Sequence, residues 1–301
     1  MHQESRDLRI FGALALAAGR LVPAASVSAE DARSDENTLE RAQAAAAMPA
    51  EGQKKGAAGS EAEAGESEQD ALSRRATDPT ASPPSFAGIG EWTAGYRDLA
   101  DGTPVDEDGF AVRFQPVVPF KAWGVSNILR MTVPFQVSGP ARSGLGDVTI
   151  FDLVILPQSW GRLGIGAVAS LVQAEKEADG HFAGGPAIGV VVPVSRKLNL
   201  GLFNQNLFGD GVSVSQIQPI AAYQLGGGWS LSLGDLQWPY DWDRGEFVSM
   251  PIGLQLGKVQ RVAGQPMRFS VNPQYDMKDL PGASRFKVVF TVQLILPEGK
   301  K

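Results

Sequence analysis

His181 is the residue in this sequence best suited to acid–base chemistry. It is one of two histidines, and the other, His2, lies in the first few residues. It sits in the stretch EADGHFAGG (177–185), with Glu175, Glu177 and Asp179 close by. An imidazole titrates near neutral pH, and a neighbouring carboxylate can orient it for a serine nucleophile or a metal. The stretch is small and polar, so a solvated loop histidine is the simpler reading. A second cluster, Asp235, Asp241, Asp243 and Glu246 around YDWDRGE (240–246), offers the hard oxygen ligands that calcium takes. A charged loop accounts for it equally well. The glycine runs GLG (144–146) and GGG (226–228) lack the lysine and the strand–helix context of phosphate-binding loops, so they read as turns. The chain has no cysteine, which excludes disulfides, thiol catalysis and cysteine-ligated zinc. No catalytic residue, cofactor or metal is therefore assigned, and an enzyme is not expected.

The polar residues that do fall into a pattern belong to strands. In AVRFQPVVPF (111–120), Val112, Phe114, Pro116, Val118 and Phe120 share one face, with Arg113 and Gln115 on the other. MRFSVNPQYD (267–276) and FKVVFTVQLIL (286–296) alternate in the same way. Period-two alternation over about ten residues marks a half-buried strand. Twelve such strands are read, near 86–96, 110–120, 124–136, 146–156, 161–171, 185–194, 198–207, 213–224, 229–238, 247–257, 266–276 and 285–296. Connections after odd strands are mostly long and those after even strands mostly short, with 258–265 a longer exception. Prolines 116, 134, 193, 219, 251 and 273 fall inside these segments, where each removes a ladder donor. Bulges or strand ends are expected there.

The rest of the chain divides into zones. Residues 1–29 read as a secretory signal, with Arg6 and Arg9 before the apolar stretch IFGALALAAG (10–19) and small residues at Val27-Ser28-Ala29. Residues 30–85 are rich in Ala, Glu, Gly and Ser and carry 12 acidic and 6 basic residues. So few large apolar groups cannot offset ordering entropy, so a disordered acidic spacer is expected, with a short helix possible in TLERAQAAAAM (38–48). Residues 86–297 are the folded part, and 298–301 a short tail. The acidic balance argues against a nucleic-acid partner.

Alternating strands suit a soluble sandwich or a membrane barrel. Export, aromatics near segment ends (Phe120, Trp123, Trp160, Tyr223, Trp229, Trp238, Tyr240, Tyr275) and alternating loop lengths favour an all-β antiparallel transmembrane barrel of the Gram-negative outer membrane. An even strand number puts both termini in the periplasm. Arginine or lysine facing lipid at mid-bilayer costs about 2–4 kcal/mol. The polar phase should therefore point inward, with Arg113, Gln115, Arg130, Thr132, Gln216, Gln218, Arg268, Asn272, Gln274, Asp276, Lys287 and Gln293 lining the lumen. Twelve strands lie between filled and open barrels, so these side chains either line a narrow pore or close it.

The ordered run FQPVVPF (114–120), LRMTVPF (129–135), GLGD (144–147), LFNQNLFGD (202–210), SQIQPIAAYQLGGGWSLS (215–232), VSMPIGLQLGKV (248–259), GQPMRFSVNPQY (264–275) and RFKVVFTVQLILP (285–297) resembles the outer-membrane proteins named for the phenol-degradation MetA pathway. The resemblance implies a barrel in outer-membrane lipid and passage of hydrophobic or aromatic small molecules. It supplies no catalytic residues. It does not extend to 30–85, and FAGIGEWTAGY (86–96) departs from the family's pattern, which leaves the first strand open. The expected function is a narrow channel for small, hydrophobic or aromatic solutes. The alternative is a closed structural or partner-binding barrel. The sequence does not set the oligomeric state.

Overall fold

The alternation read in the sequence becomes a closed wall. The computed structural model describes residues 67–98, 102–140, 143–172, 181–209, 211–278, 280 and 283–297. The signal segment, the spacer up to residue 66 with its short helix at 38–48, and the tail 298–301 lie outside the described residues. Twelve antiparallel strands close on themselves. They are β1 (Ser85–Arg97), β2 (Gly109–Ala122), β3 (Val125–Ser138), β4 (Val148–Gln158), β5 (Gly161–Val172) and β6 (His181–Pro193). Then follow β7 (Leu198–Gly209), β8 (Val212–Gly226), β9 (Trp229–Ser232 and Trp238–Asp241), β10 (Pro251–Gly253 and Gln255–Val262), β11 (Gln265–Asp276) and β12 (Ser284–Ile295).

The first strand, left open by the sequence, is what closes the barrel. β1 pairs with β12 from Ser85↔Ile295 to Tyr96↔Ser284, and with β2 from Ser85↔Val117 to Thr93↔Gly109. The chain therefore enters and leaves the barrel at the same end. That end also carries the short turns. Trp123-Gly124 and Ala263-Gly264 are two-residue turns in which both residues have positive φ, at 49° and 80° and at 49° and 82°. This is the hairpin geometry whose twist matches that of the strands. The long connection expected at 258–265 is not there, because β10 runs on to Val262 and the turn is only two residues. His181 likewise opens β6 instead of lying in a loop, so that strand starts at 181 and not at 185.

Four of the six in-strand prolines face gaps in the ladder. Pro116 pairs with Phe86 on one side and on the other lies where the pairing skips from Phe114↔Val133 to Val117↔Arg130. Pro219 pairs with Leu202 on one side, while on the other β9 leaves the wall between Ser232 and Trp238. Pro273 pairs with Val288 and faces the break at Leu254. Pro134 faces the register change between Thr132↔Thr149 and Phe135↔Leu145. Pro193 and Pro251 stand at strand ends. Each site lacks the hydrogen bond that proline cannot donate.

The outward surface is apolar. Phe86, Phe114, Val118, Phe135, Ile165, Ile188, Leu202, Leu256, Phe290 and Val292 are all exposed. Trp123, Trp160, Tyr223 and Trp229 ring the turn end, and Trp242 and Tyr275 stand at the other. A closed barrel with an apolar waist between aromatic girdles is a membrane-spanning surface. Asp152, between Ile150 and Val154 on β4, is an exception on the outward phase. Lys258 sits over the Trp229 ring at 5.0 Å and donates to the Gly227 carbonyl at the turn end. One consequence is measurable. Phe290→Arg, at the middle of β12, should lower folding free energy into lipid vesicles by about 2–4 kcal/mol in urea titrations. An unchanged titration would mean that this surface does not face hydrocarbon.

Inward, the two halves of the barrel differ. Phe151, Leu153 and Ile155 of β4, Val168 of β5, Ala187 and Val191 of β6, and Phe203 and Leu207 of β7 form one buried apolar cluster with Val117, Ile128 and Ile220. Phe151 and Phe203 pack at 5.4 Å between ring centroids. This half of the lumen is filled by side chains. The charged inward residues collect in the other half, while Ser170, Asn199 and Gln205 are buried polar groups in this one.

Candidate functional site

Residues that composition assigns to the disordered spacer lie at the turn end of the lumen and floor its lowest cavity. Glu68–Ala76 form a helix, α1, capped by Ser67, whose hydroxyl accepts the Asp70 N–H. A strap, residues 77–84, continues from it into the barrel. Ser73, Asp78, Thr80 and Pro83 are buried. Each anchor is polar and reaches a turn or the turn-side end of a strand. The Gly228 N–H donates to Asp70 Oδ1 at 2.6 Å, and Arg261 Nη2 donates to Glu68 Oε1 at 2.6 Å. Gln224 Nε2 donates to Thr77 Oγ1 at 3.3 Å. Arg162, at the start of β5, forms an ion pair with Asp78 and donates from Nε to Thr80 Oγ1 at 3.0 Å. Thr80 in turn donates its N–H and hydroxyl to Asp78 Oδ1 at 2.8 and 2.6 Å.

Two of these anchors depend on pH. The Arg261 guanidinium holds the Glu68 carboxyl below its usual range. Burial pushes the Asp70 carboxyl up, but the Gly228 N–H, the Ser67 hydroxyl and the Gly227 N–H together take it below its usual range. A carboxylate with a depressed folded pKa adds stability that is complete above its unfolded value, about 4, and is lost as pH falls through the folded one. The helix should therefore loosen below about pH 4. Single-channel conductance should rise over that interval, and a flat profile down to pH 3 would show that these anchors do not hold the helix.

Above the strap a chain of cavities runs up the polar half. The first, of about 90 Å³ of water-accessible space, is floored by Thr77, Pro79 and Ser82 and walled by Gln115, Arg130, Gln218, Arg268 and Gln293. The second, of about 190 Å³, is lined by Glu91, Arg113, Gln216, Asn272, Gln274 and Lys287. The third, of about 220 Å³, touches Gln274, Asp276 and Lys287 near the loop end. Asp235 and Thr291 line both the first and the second, and Ser249 and Pro251 both the second and the third. On β12 the lining moves from Gln293 to Val289 to Arg285, so the cavities succeed one another along the strand. Thr132 joins the set through the Gln115 amide, which donates to its hydroxyl at 3.1 Å. Eleven of the twelve residues named from the sequence thus touch one or another of these cavities, and Thr132 reaches them only through Gln115.

Sequence reasoning missed three parts of this site. Glu91 accepts from both Arg113 and Lys287, the latter at 3.3 Å, and links β1, β2 and β12. Its place on the polar phase of FAGIGEWTAGY was the available signal. Asp235 was grouped with the loop acids, yet it lies in the lumen. Residues 233–237 leave the wall and fold inward, so Leu236 is buried and the Asn272 side-chain amide donates to the Leu233 carbonyl at 3.1 Å. Gly234 makes the bend at φ 68°, where a Cβ would stand 2.5 Å from Asn272 Nδ2. The other acids serve the loop. Asp241 Oδ1 accepts from the N–H groups of Asp243 and Arg244, and Glu246 pairs with Lys278 at 3.2 Å. The third part, the strap, gave no signal, because its partners lie far away in sequence. Among the described residues, no group of three or more His, Asp or Glu could hold a metal ion. Glu175, Glu177 and Asp179 lie outside the described residues.

Fold and site together define a membrane-spanning β-barrel with a charged lumen and a folded segment across one end. No family model matches the chain, and no curated protein matches it. The likeness to the MetA-pathway proteins therefore stays an expectation from sequence. Among solved structures, the chain is similar to the KdgM porin in complex with disordered oligogalacturonate, at TM-score 0.46 and 11% identity over 71% of this chain and 99% of that one. It is similar to an outer-membrane channel from Pseudomonas putida F1, at TM-score 0.48 and 12% identity over 71% and 96%. It is also similar to outer membrane phospholipase A from Escherichia coli, at TM-score 0.41 and 12% identity over 70% and 97%.

Proposed function

We propose that this chain is an outer-membrane channel for small solutes, with both chain termini in the periplasm and the lumen shut at the periplasmic end by residues 67–84. The observation that carries this reading is the succession of cavities from the loop end down to the strap. A barrel built only as a support has no need of a polar column lined by five cations, Arg113, Arg130, Arg268, Arg285 and Lys287. Hydrophobic or aromatic solutes fit the expectation from the resemblance, and the apolar wall of Val117, Ile128 and Ile220 in the lowest cavity suits them. The barrel acts on its solute by passage alone, without chemistry. A second reading, a closed barrel that serves a partner, draws on the filled β4–β7 half and on the strap. Proteoliposome swelling separates the two. Vesicles carrying the chain without residues 67–83 should swell in small sugars or amino acids, and vesicles that do not swell would favour the closed barrel.

A further inference from the structure

Two guanidinium groups and one carboxylate meet in the lowest cavity. Arg268 on β11 is 5% exposed and donates from Nη2 to Gln255 Oε1 at 2.6 Å, while its Nε has no partner. Arg130 on β3 lies over the Phe151 ring at 4.3 Å, and its buried Nε also has no partner. Asp235 is the carboxylate that lines the same cavity. One of its oxygens already accepts from Gln218 Nε2 at 3.3 Å. Neither guanidinium lies within ion-pair distance of a carboxylate among the described residues. The cavity therefore holds one positive charge in excess, and each guanidinium beside it keeps a buried Nε–H without an acceptor. Buried guanidiniums are stabilised by an anion that takes such donors, and planar carboxylates match their geometry. Val117, Ile128 and Ile220 give the same cavity an apolar side, opposite polar groups such as Gln115, Gln218 and Gln293.

The geometry points to a binding site for a small monocarboxylate with an apolar body, its carboxylate held between Arg130 and Arg268 and its body against Val117, Ile128 and Ile220. A dianion would exceed the single surplus charge, and a neutral solute would leave that charge without a counterion. This assignment rests on the channel reading, since it names the solute class of that same lumen.

Calorimetric titration of the folded full-length barrel in detergent tests it, with benzoate as the probe and benzyl alcohol as its neutral counterpart. Benzoate should bind at least about tenfold more tightly, the worth of one charge-assisted hydrogen bond. Arg130→Gln and Arg268→Gln should each weaken benzoate binding by about tenfold or more. Arg244→Gln, in an exposed loop, should leave it unchanged. If either lumen variant fails to fold, the benzoate–benzyl alcohol comparison in the intact chain still decides. Equal binding of the two probes, or full benzoate affinity in folded Arg130→Gln and Arg268→Gln chains, would overturn the site. Swelling and binding are separate readouts. Selective binding without flux would remove the channel and leave the site, and flux without selective binding would do the reverse.

Discussion

A chain carrying Arg162→Ala should conduct ions where the intact chain is nearly silent. Asp78 is 1% exposed, and Arg162 is the cation paired with it. Removing one member of a buried ion pair leaves an uncompensated charge, at a cost of about 3–5 kcal/mol. The substitution also takes away the donor to Thr80, which orients Asp78. The strap escapes that cost by leaving the lumen, where Asp78 regains water. Helix α1 keeps its contacts to Gly228 and Arg261, so the expected change is an open floor and not a lost segment. Single-channel recording reads the conductance, and limited proteolysis reads the exposure of residues 77–84. Unchanged conductance with a protected strap would show that other contacts hold it.

The second large effect concerns the filled half. Phe203 is 0% exposed and packs its ring on Phe151. Phe203→Ala should destabilise the barrel by about 3–5 kcal/mol, the usual range for a buried phenylalanine cut back to alanine. Phe151 also carries the Arg130 guanidinium, so the cavity beside it should loosen as well. Urea unfolding from lipid vesicles measures the first effect, and benzoate affinity the second. A titration coincident with that of the unmodified chain would show that the β4–β7 half is not packed as described.

How legible this site was in the sequence depended on what each strand faces. Strands β2, β11 and β12 have lipid on one side and a polar cavity on the other, so their alternation is plain in AVRFQPVVPF, MRFSVNPQYD and FKVVFTVQLIL. Each lumen residue expected from sequence comes from β2, β3, β8, β11 or β12. Strand β4 reads VTIFDLVILPQ, apolar on both faces, because its inward Phe151, Leu153 and Ile155 meet a core and not a cavity. No periodicity argument separates its two sides. The strap escaped for a different reason. Few large apolar residues normally means disorder, since the segment must build its own core. Residues 67–84 instead enter a cavity already built, where Arg162, Gln224, Gly228 and Arg261 supply polar partners from the barrel. Asp235 escaped because a positive-φ glycine, Gly234, turns it inward from a strand that was read as continuous.

The most direct measurement is planar-bilayer conductance of the intact chain against the chain lacking residues 67–83, at neutral pH in the same lipid. The barrel seam of β1, β2 and β12 does not use these residues, so it should close in both. The intact chain should be nearly silent and the shortened chain should conduct steadily. A silent shortened chain would contradict the channel, and an intact chain conducting as well as the shortened one would contradict the closing role of the strap.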